Sequence, residues 1–370
     1  MKPKVSLTAC ESYDEALVRD CVGRAVSLLG GMQSFVKAGE NVVVKPNLLR
    51  GSKPDAAIVT HPAVVKAVVS LVKDAGGKPV IVDSPGGPAN KTLLKLAYAK
   101  SGLTKVAEET GAELSYDTSS TLVDFPEGKL IKAFDLLNVV KDADAVITVP
   151  KLKTHSLTYL TGATKILYGV VPGMSKVAYH AKLPDVEKFS QMLLDLNSLV
   201  KPQLSVMDAV IAMEGNGPSA GSPRKVGAII AGANHLAVDT VAAMLVGFNP
   251  LDVQTIRAAG RIEEVEVLGE KIEAFSIKDF APPVKAKRPW FMPEFTKGVM
   301  KRFMTAYPSS NEACVGCGVC ETNCPVKAIT IDNGRARMNL SKCIRCYCCH
   351  EMCPHHAINL NKPVLMRLLR

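Results

Sequence analysis

Nine of the chain's 11 cysteines fall between Cys314 and Cys353, and their spacing repeats. One unit runs Cys314-x2-Cys317-x2-Cys320-x3-Cys324 and is followed by Pro325. The other runs Cys343-x2-Cys346-x2-Cys349-x3-Cys353 and is followed by Pro354. The likeness continues past the sulfurs to Ala328-Ile329 and Ala357-Ile358. Disulfides would scatter through a secreted chain, whereas clustering at short fixed spacing points to metal ligation in a reducing compartment. Three cysteines at i, i+3 and i+6 in a tight loop can hold three irons of one cubane. The fourth, four positions further on, turns away and ligates the other cluster. This assigns Cys314, Cys317, Cys320 and Cys353 to one 4Fe-4S cluster, and Cys343, Cys346, Cys349 and Cys324 to a second. A pair of tetrathiolate zinc sites is the alternative, but zinc ribbons use separated CxxC pairs rather than triplets closing on Cys-Pro.

The spacing is that of bacterial two-cluster ferredoxins, so residues 311–360 are expected to form a small ferredoxin-like α+β domain. Cys348 fits no ligand position. It reads as a small residue filling space beside a cluster, with a reactive thiol as the alternative. His350 and Glu351 stand where hydrogen bonds and charge would tune a potential, or where solvated surface would be.

The elements that must position the rest lie upstream. The run NVVVKPN (41–47) reads as a buried strand. Thr60 is expected to cap the next helix, with Pro62 in its first turn and Val64, Val65, Val68, Val69 and Val72 on one face. Gly76-Gly77 stops it, and KPVIVDS (78–84) reads as a strand. DAVITVP (144–150), LSVMDAVI (204–211) and VGAIIAG (226–232) are further strands. Helices are expected near 91–109, 160–169, 186–199, 235–246 and 251–260. This alternation predicts an α/β domain over residues 1–280, with a mostly parallel sheet flanked by helices. Residues 281–310, proline-broken and basic around Trp290, read as a linker packed along that domain. Residues 361–370 form a basic, apolar tail.

In open α/β sheets ligands bind beyond the carboxyl ends of the strands. That edge should gather Lys45, Asn47, Asp83, Ser84, Lys151, Lys153, Thr154 and His155. Cationic and hydroxyl side chains beside glycine turns suit a carboxylate or phosphate, and a solvated basic loop is the alternative. His155 and His180 are candidates for acid/base or metal-ligand roles. Glu214, in a glycine-rich loop, would orient a ligand or cap a turn. Asp239, early in an apolar helix, is explained by the helix dipole. Asp83 and Asp208 end apolar strands.

Five segments together resemble the domain-of-unknown-function family numbered 362 with its usual ferredoxin module: KPNLL (45–49), DSPGG (83–87), PKLKTHSLTYLTGATKILYG (150–169), PGMSKVAYH (172–180) and MEGNGPSAGSP (213–223). The CYCCHE stretch carries the same resemblance into the cysteine module. It spans nearly the whole chain, implies an iron-sulfur protein, and adds Lys165 and Lys176 to the candidate ligand-binding set. One departure is Lys165-Ile166, where the family usually has Lys-Asn.

Composition sets the outer limits. At 47% hydrophobic and 22% charged, the 370 residues are ordinary for globular domains. No apolar run approaches the roughly 18 residues of a membrane span. LTAC (7–10) resembles a lipoprotein cleavage box but has no apolar region before it, so Cys10 reads as an ordinary thiol and the protein as cytoplasmic. The formal charge of +10 suits anionic ligands and acidic partners. No motif or aromatic-studded basic stretch supports nucleic acid. No dinucleotide, phosphate-loop or nucleophile-elbow fingerprint is present, though flavins bind without one. The expectation is an iron-sulfur oxidoreductase whose clusters exchange single electrons with an anionic small molecule, or a flavin or other anionic cofactor. An acidic ferredoxin- or flavodoxin-type protein would be its redox partner. A non-catalytic electron-transfer or maturation subunit, and a cluster-based redox sensor, are the alternatives.

Overall fold

The structure is a computed structural model and describes residues 2–49, 51–86, 90–260, 264–275, 277–284 and 305–361. Most of the expected linker and nearly all of the expected tail lie outside the described residues, Trp290 among them.

A mixed, mostly parallel sheet organises the larger domain. Its path runs β12 (Glu266–Gly269), β1 (Lys4–Ala9), β11 (Ser222–Gly232), β10 (Leu204–Glu214), β7 (Ala145–Val149), β2 (Asn41–Pro46), β3 (Lys78–Ile81) and β4 (Glu113–Leu114). Off this path, β8 (Lys151–His155) continues from β7, pairs parallel with the far half of β10, and is edged by antiparallel β9 (Tyr159–Thr161). β2 is parallel to both β3 and β7 and is fully apolar from Val42 to Val44, as a strand buried on both faces must be. Among the described residues of the larger domain, the antiparallel pairs are β11 with β1 and β10, the β8–β9 hairpin, and the separate ribbon of β5 (Ser120–Asp124) and β6 (Ala133–Leu137).

Helices cover both faces. In Pro62–Asp74, Val64, Val65, Val68, Val69 and Val72 are buried against β2 and β3. The cap is one residue later than expected: His61 Nδ1 accepts from Ala63 N at 3.2 Å. Thr60 Oγ1 is otherwise engaged, accepting from Asn47 N and donating to Val149 O. The opposite face packs Phe134, Leu136 and Val146 against the helix Val186–Val200. Helix His235–Leu245 closes the third apolar cluster. The single helix expected over 91–109 is two, Lys91–Lys100 and Leu103–Thr110, broken at Gly102 with φ +79°. No α-helix forms over 160–169. Tyr159 takes φ +75°, β9 follows, and a 3-10 helix runs from Lys165 to Val170.

The small domain begins before residue 311. β13 (Tyr307–Ser310) pairs with β16 (Ile358–Asn361), joining the two ends of the cysteine module, and β14 (Ile329–Asp332) pairs with β15 (Arg335–Met338). Among the described residues, no helix is long and apolar enough to cross a membrane.

Candidate functional site

A cavity of about 100 Å³ opens at the carboxyl ends of β2 and β3, where Lys45, Asn47, Asp83 and Ser84 converge. Lys45 Nζ lies 3.0 Å from Asp83 Oδ1, both side chains almost fully buried. The other Asp83 oxygen accepts from Leu48 N at 2.8 Å. Gly169 is required here: a Cβ would stand 2.4 Å from both Asp83 Oδ1 and Lys45 Nζ. Its absence lets the Lys165–Val170 turn close over the ion pair and bring Lys165, Ile166 and Tyr168 to the cavity.

That turn is anchored from behind. Asp239 accepts from Ala163 N at 2.6 Å and Thr164 N at 3.0 Å, and a Cβ on Gly162 would meet its carboxylate at 2.0 Å. The helix dipole is therefore not what this carboxylate serves; it is a clamp. Burial pushes its pKa up to about 6, against the hydrogen bonds it accepts.

Four lysines line the cavity: Lys45, Lys153, Lys165 and Lys176. Lys153 Nζ donates to Ile58 O at 2.7 Å, and Lys176 Nζ donates to Ser84 O. Burial lowers both to about 7; the charge of Lys165 adds to the effect at each. Lys165 lies over the Tyr168 ring at 5.9 Å and shares the cavity with the Glu351 carboxylate, whose charge partly offsets the lowering of its pKa by burial. Two lining hydroxyls, Ser84 Oγ and Thr161 Oγ1, are buried without a partner among those residues. Desolvated cations and orphaned donors are costly, and an anion with several acceptor oxygens satisfies all of them together.

The cysteine module supplies the opposite wall: Asn323, Cys348, Glu351 and Met352. The last three belong to the short helix Cys348–Met352. His155 Nδ1 accepts from Leu157 N and Thr158 N, which leaves the ring proton on Nε2, 3.0 Å from Glu351 Oε1. Burial lowers His155 to about 4, so at neutral pH a neutral imidazole stands beside the carboxylate. Ser219 Oγ donates to the carbonyls of His350 and Glu351, and His350 Nε2 meets Asn216 O at 3.2 Å. Met352 packs so near Gly86 that a Cβ there would be 2.9 Å from its sulfur.

The cysteines gather crosswise. One cavity is lined by Cys314, Cys317, Cys320 and Cys353, another by Cys324, Cys343, Cys346 and Cys349. Among the described residues no three His, Cys, Asp or Glu groups form a single-ion site. Backbone N–H groups point at sulfur in both sets: Ala336 to Cys314, Ala328 to Cys324, Ala357 to Cys353 and Arg345 to Cys343, at 3.2–3.4 Å. Such donors stabilise ligating thiolates. The two loops match at an offset of 29 residues: Gly316 and Gly318 have positive φ, and so do Arg345 and Tyr347. Four thiols line the first cavity and five, Cys348 being the extra one, the second, and with amides aimed at the sulfurs each fits a 4Fe-4S cluster.

Several sequence candidates stand outside the anion cavity. Lys151 Nζ binds Asp208 Oδ2 at 2.8 Å and Tyr13 OH at 2.6 Å, the lysine and aspartate side chains being fully buried. Thr154 Oγ1 donates to Gly215 O, and Glu214 accepts from Ala281 N. His155 reaches the cavity only through Glu351. His180 lines it, stacked on Phe189 at 4.7 Å and lowered to about 4 by burial. Thr161, Tyr168, Cys348, Glu351 and Met352 were not singled out as ligand-site residues from sequence. The lone pointer was Cys348, an extra thiol in a ligand array.

A family profile described as a domain of unknown function, DUF362, matches residues 42–244, and one described as a 4Fe-4S dicluster domain matches residues 308–354. A thylakoid-associated protein of Synechocystis sp. is 35% identical over 270 residues, which is 71% of this chain and 80% of that one. Among solved structures, the lactate racemase apoprotein from Thermoanaerobacterium thermosaccharolyticum gives a TM-score of 0.41 at 13% identity. The match covers 66% of this chain and 57% of that one. A Thermotoga maritima protein gives 0.34 at 13% identity, covering 55% of this chain and 52% of its own. The chain thus spans little more than half the length of either structure.

Proposed function

Because this chain belongs to the DUF362 family and joins that domain to a 4Fe-4S dicluster domain, we propose that it is an iron-sulfur oxidoreductase acting on a bound anion. Bound in the two thiol cavities, 4Fe-4S clusters supply single electrons, to or from a small anionic molecule or cofactor held in the lysine-lined cavity. One observation carries the reading. One wall of that cavity is the helix Cys348–Met352, which contains the ligand candidate Cys349 and runs directly into Cys353, and among the described lining residues four lysines stand against two carboxylates, Asp83 and Glu351. Charge and redox centre meet at one place.

The module's other end faces outward. Cys317 is exposed and Val315 is 61% exposed beside it, which suits docking of an acidic ferredoxin- or flavodoxin-type protein against a basic chain. We place the reaction in a reducing, cytoplasmic and anaerobic setting on the clustering of the thiols.

The test is anaerobic purification with iron, sulfide and zinc analysis, mass spectrometry of molecules released on denaturation, and thermal unfolding with added sulfate. About eight irons, with stabilisation by sulfate that Lys165→Met abolishes, are expected. Zinc in place of iron, or the same unfolding temperature with and without sulfate in a protein that releases no anion, would refute it. A stable protein partner with an empty cavity would favour the electron-transfer subunit.

A further inference from the structure

Each of the two orphaned hydroxyls in the anion cavity has a lysine beside it. Thr161 stands directly opposite Lys153 in the β8–β9 hairpin, so both side chains leave the same face of the sheet. Ser84 gives its backbone carbonyl to Lys176 Nζ. All four residues are buried, and Ser84 Oγ and Thr161 Oγ1 have no hydrogen-bond partner among the described residues. The two pairs come from separate parts of the cavity wall. β8 and β9 carry one, while the segment after β3 and the helix Gly173–Lys182 carry the other. Charge picks out the same two lysines. Lys45 is held at 3.0 Å by Asp83, and Glu351 acts on Lys165. Lys153 and Lys176 instead donate to the carbonyls of Ile58 and Ser84, with Asp83 acting on both from further off and Glu351 on Lys153. Four lysines against Asp83 and Glu351 leave two positive charges when all are ionised.

We propose that the cavity binds a short dicarboxylate end to end, one carboxylate on Lys153 and Thr161 and the other on Lys176 and Ser84. This rests on the anion reading above and names its ligand class. An ammonium carries three donors, and in each lysine one is already taken by a backbone carbonyl. Each pair therefore still offers an ammonium and a hydroxyl, which suit the two oxygens of one carboxylate better than the three of a phosphate. Leu49, Ile166 and Val177, also in the lining, suit the methylenes between the two ends. A cavity of about 100 Å³ leaves room for a chain of only a few carbons.

Anaerobic calorimetry on the cluster-loaded protein at pH 7 tests this with malonate, succinate and glutarate, the monomethyl ester of each, and sulfate. At least one diacid should bind about tenfold or more tightly than its own ester, because the ester leaves one lysine–hydroxyl pair unfilled. Lys153→Met should erase that preference, and so should Lys176→Met. The ester should lose little in either variant, since the other pair stays open to it. Thr161→Val, nearly isosteric, should reduce the preference severalfold and keeps the test decisive if a lysine variant does not fold. Diacids and esters bound alike, or a preference that all three substitutions leave intact, would overturn the proposal. If sulfate still binds in that event, the anion site stands and only its two-ended ligand falls. Failure of sulfate and of every diacid to bind removes the anion site as well.

Discussion

Lys153 and Lys176 have exchanged water for backbone carbonyls, at Ile58 and Ser84, without gaining a carboxylate of their own. Burial lowers each from 10.5 to about 7. Lys165, Glu351, Asp83 and Lys151 face Lys153, and Asp83, Lys45 and Lys165 face Lys176. His155 and His180, both near 4, stay neutral across this range. An anion favours the charged lysines, so affinity is fully present below about pH 7 and is lost as pH rises through it. For sulfate, which does not itself titrate here, the fall should reach about tenfold per pH unit for each lysine that must be protonated. Binding above pH 7 should take up protons. Calorimetry in buffers of different ionisation enthalpy checks both, and a constant affinity between pH 6 and pH 9 would contradict the assignment.

The turn from Gly162 to Val170 shows how one element depends on another far away in sequence. From the sequence the segment 160–169 reads as a helix. It is not one, because Asp239, 75 residues from Thr164, takes the N–H groups of Ala163 and Thr164. Asp239→Asn turns an amide NH2 toward one of those donors. It should cost about 1–3 kcal/mol in urea unfolding and weaken sulfate binding, because Lys165 follows directly. Sulfate affinity equal to the parent's would show that the clamp does not position Lys165. Lys45, Asn47, Asp83 and Ser84 were legible in the sequence because β2 and β3 are apolar runs with abrupt polar ends. Lys151 follows the same local rule and is still spent on Asp208, since strand-end chemistry does not say which way a side chain turns. Glu351 and Met352 were illegible as cavity residues, because nothing local to a cysteine loop tells what that loop packs against.

At the scale of the whole molecule, the anion cavity exists only while the module is seated on the larger domain. The seat comprises His155–Glu351, the Ser219 and His350 contacts, and Met352 against Gly86. Cluster content and anion affinity are then thermodynamically linked, and the linkage is reciprocal. Iron removal by a chelator should abolish the thermal stabilisation that sulfate gives, and sulfate should slow iron release to a chromogenic chelator. Iron release at one rate with and without sulfate would sever the two sites. Glu351→Ala should weaken both effects by removing the carboxylate that stands 3.0 Å from His155 Nε2 at the seat.

The two cysteine loops follow one backbone path with unequal ease. Where the first has Gly316 and Gly318 at φ +66° and +76°, the second places Arg345 and Tyr347 at +58° and +64°. Glycine takes left-handed angles freely, while other residues pay about 1–2 kcal/mol each. The outward loop is therefore nearer its final shape before iron arrives, and the inward loop must be forced into it. Each thiol cavity takes one sulfur from the other loop, so neither loop completes its set alone. Cluster biogenesis in this module should be sequential, starting at the solvent side. Alkylation after reconstitution with half the required iron should find Cys314 and Cys320 protected while Cys343 and Cys349 still react.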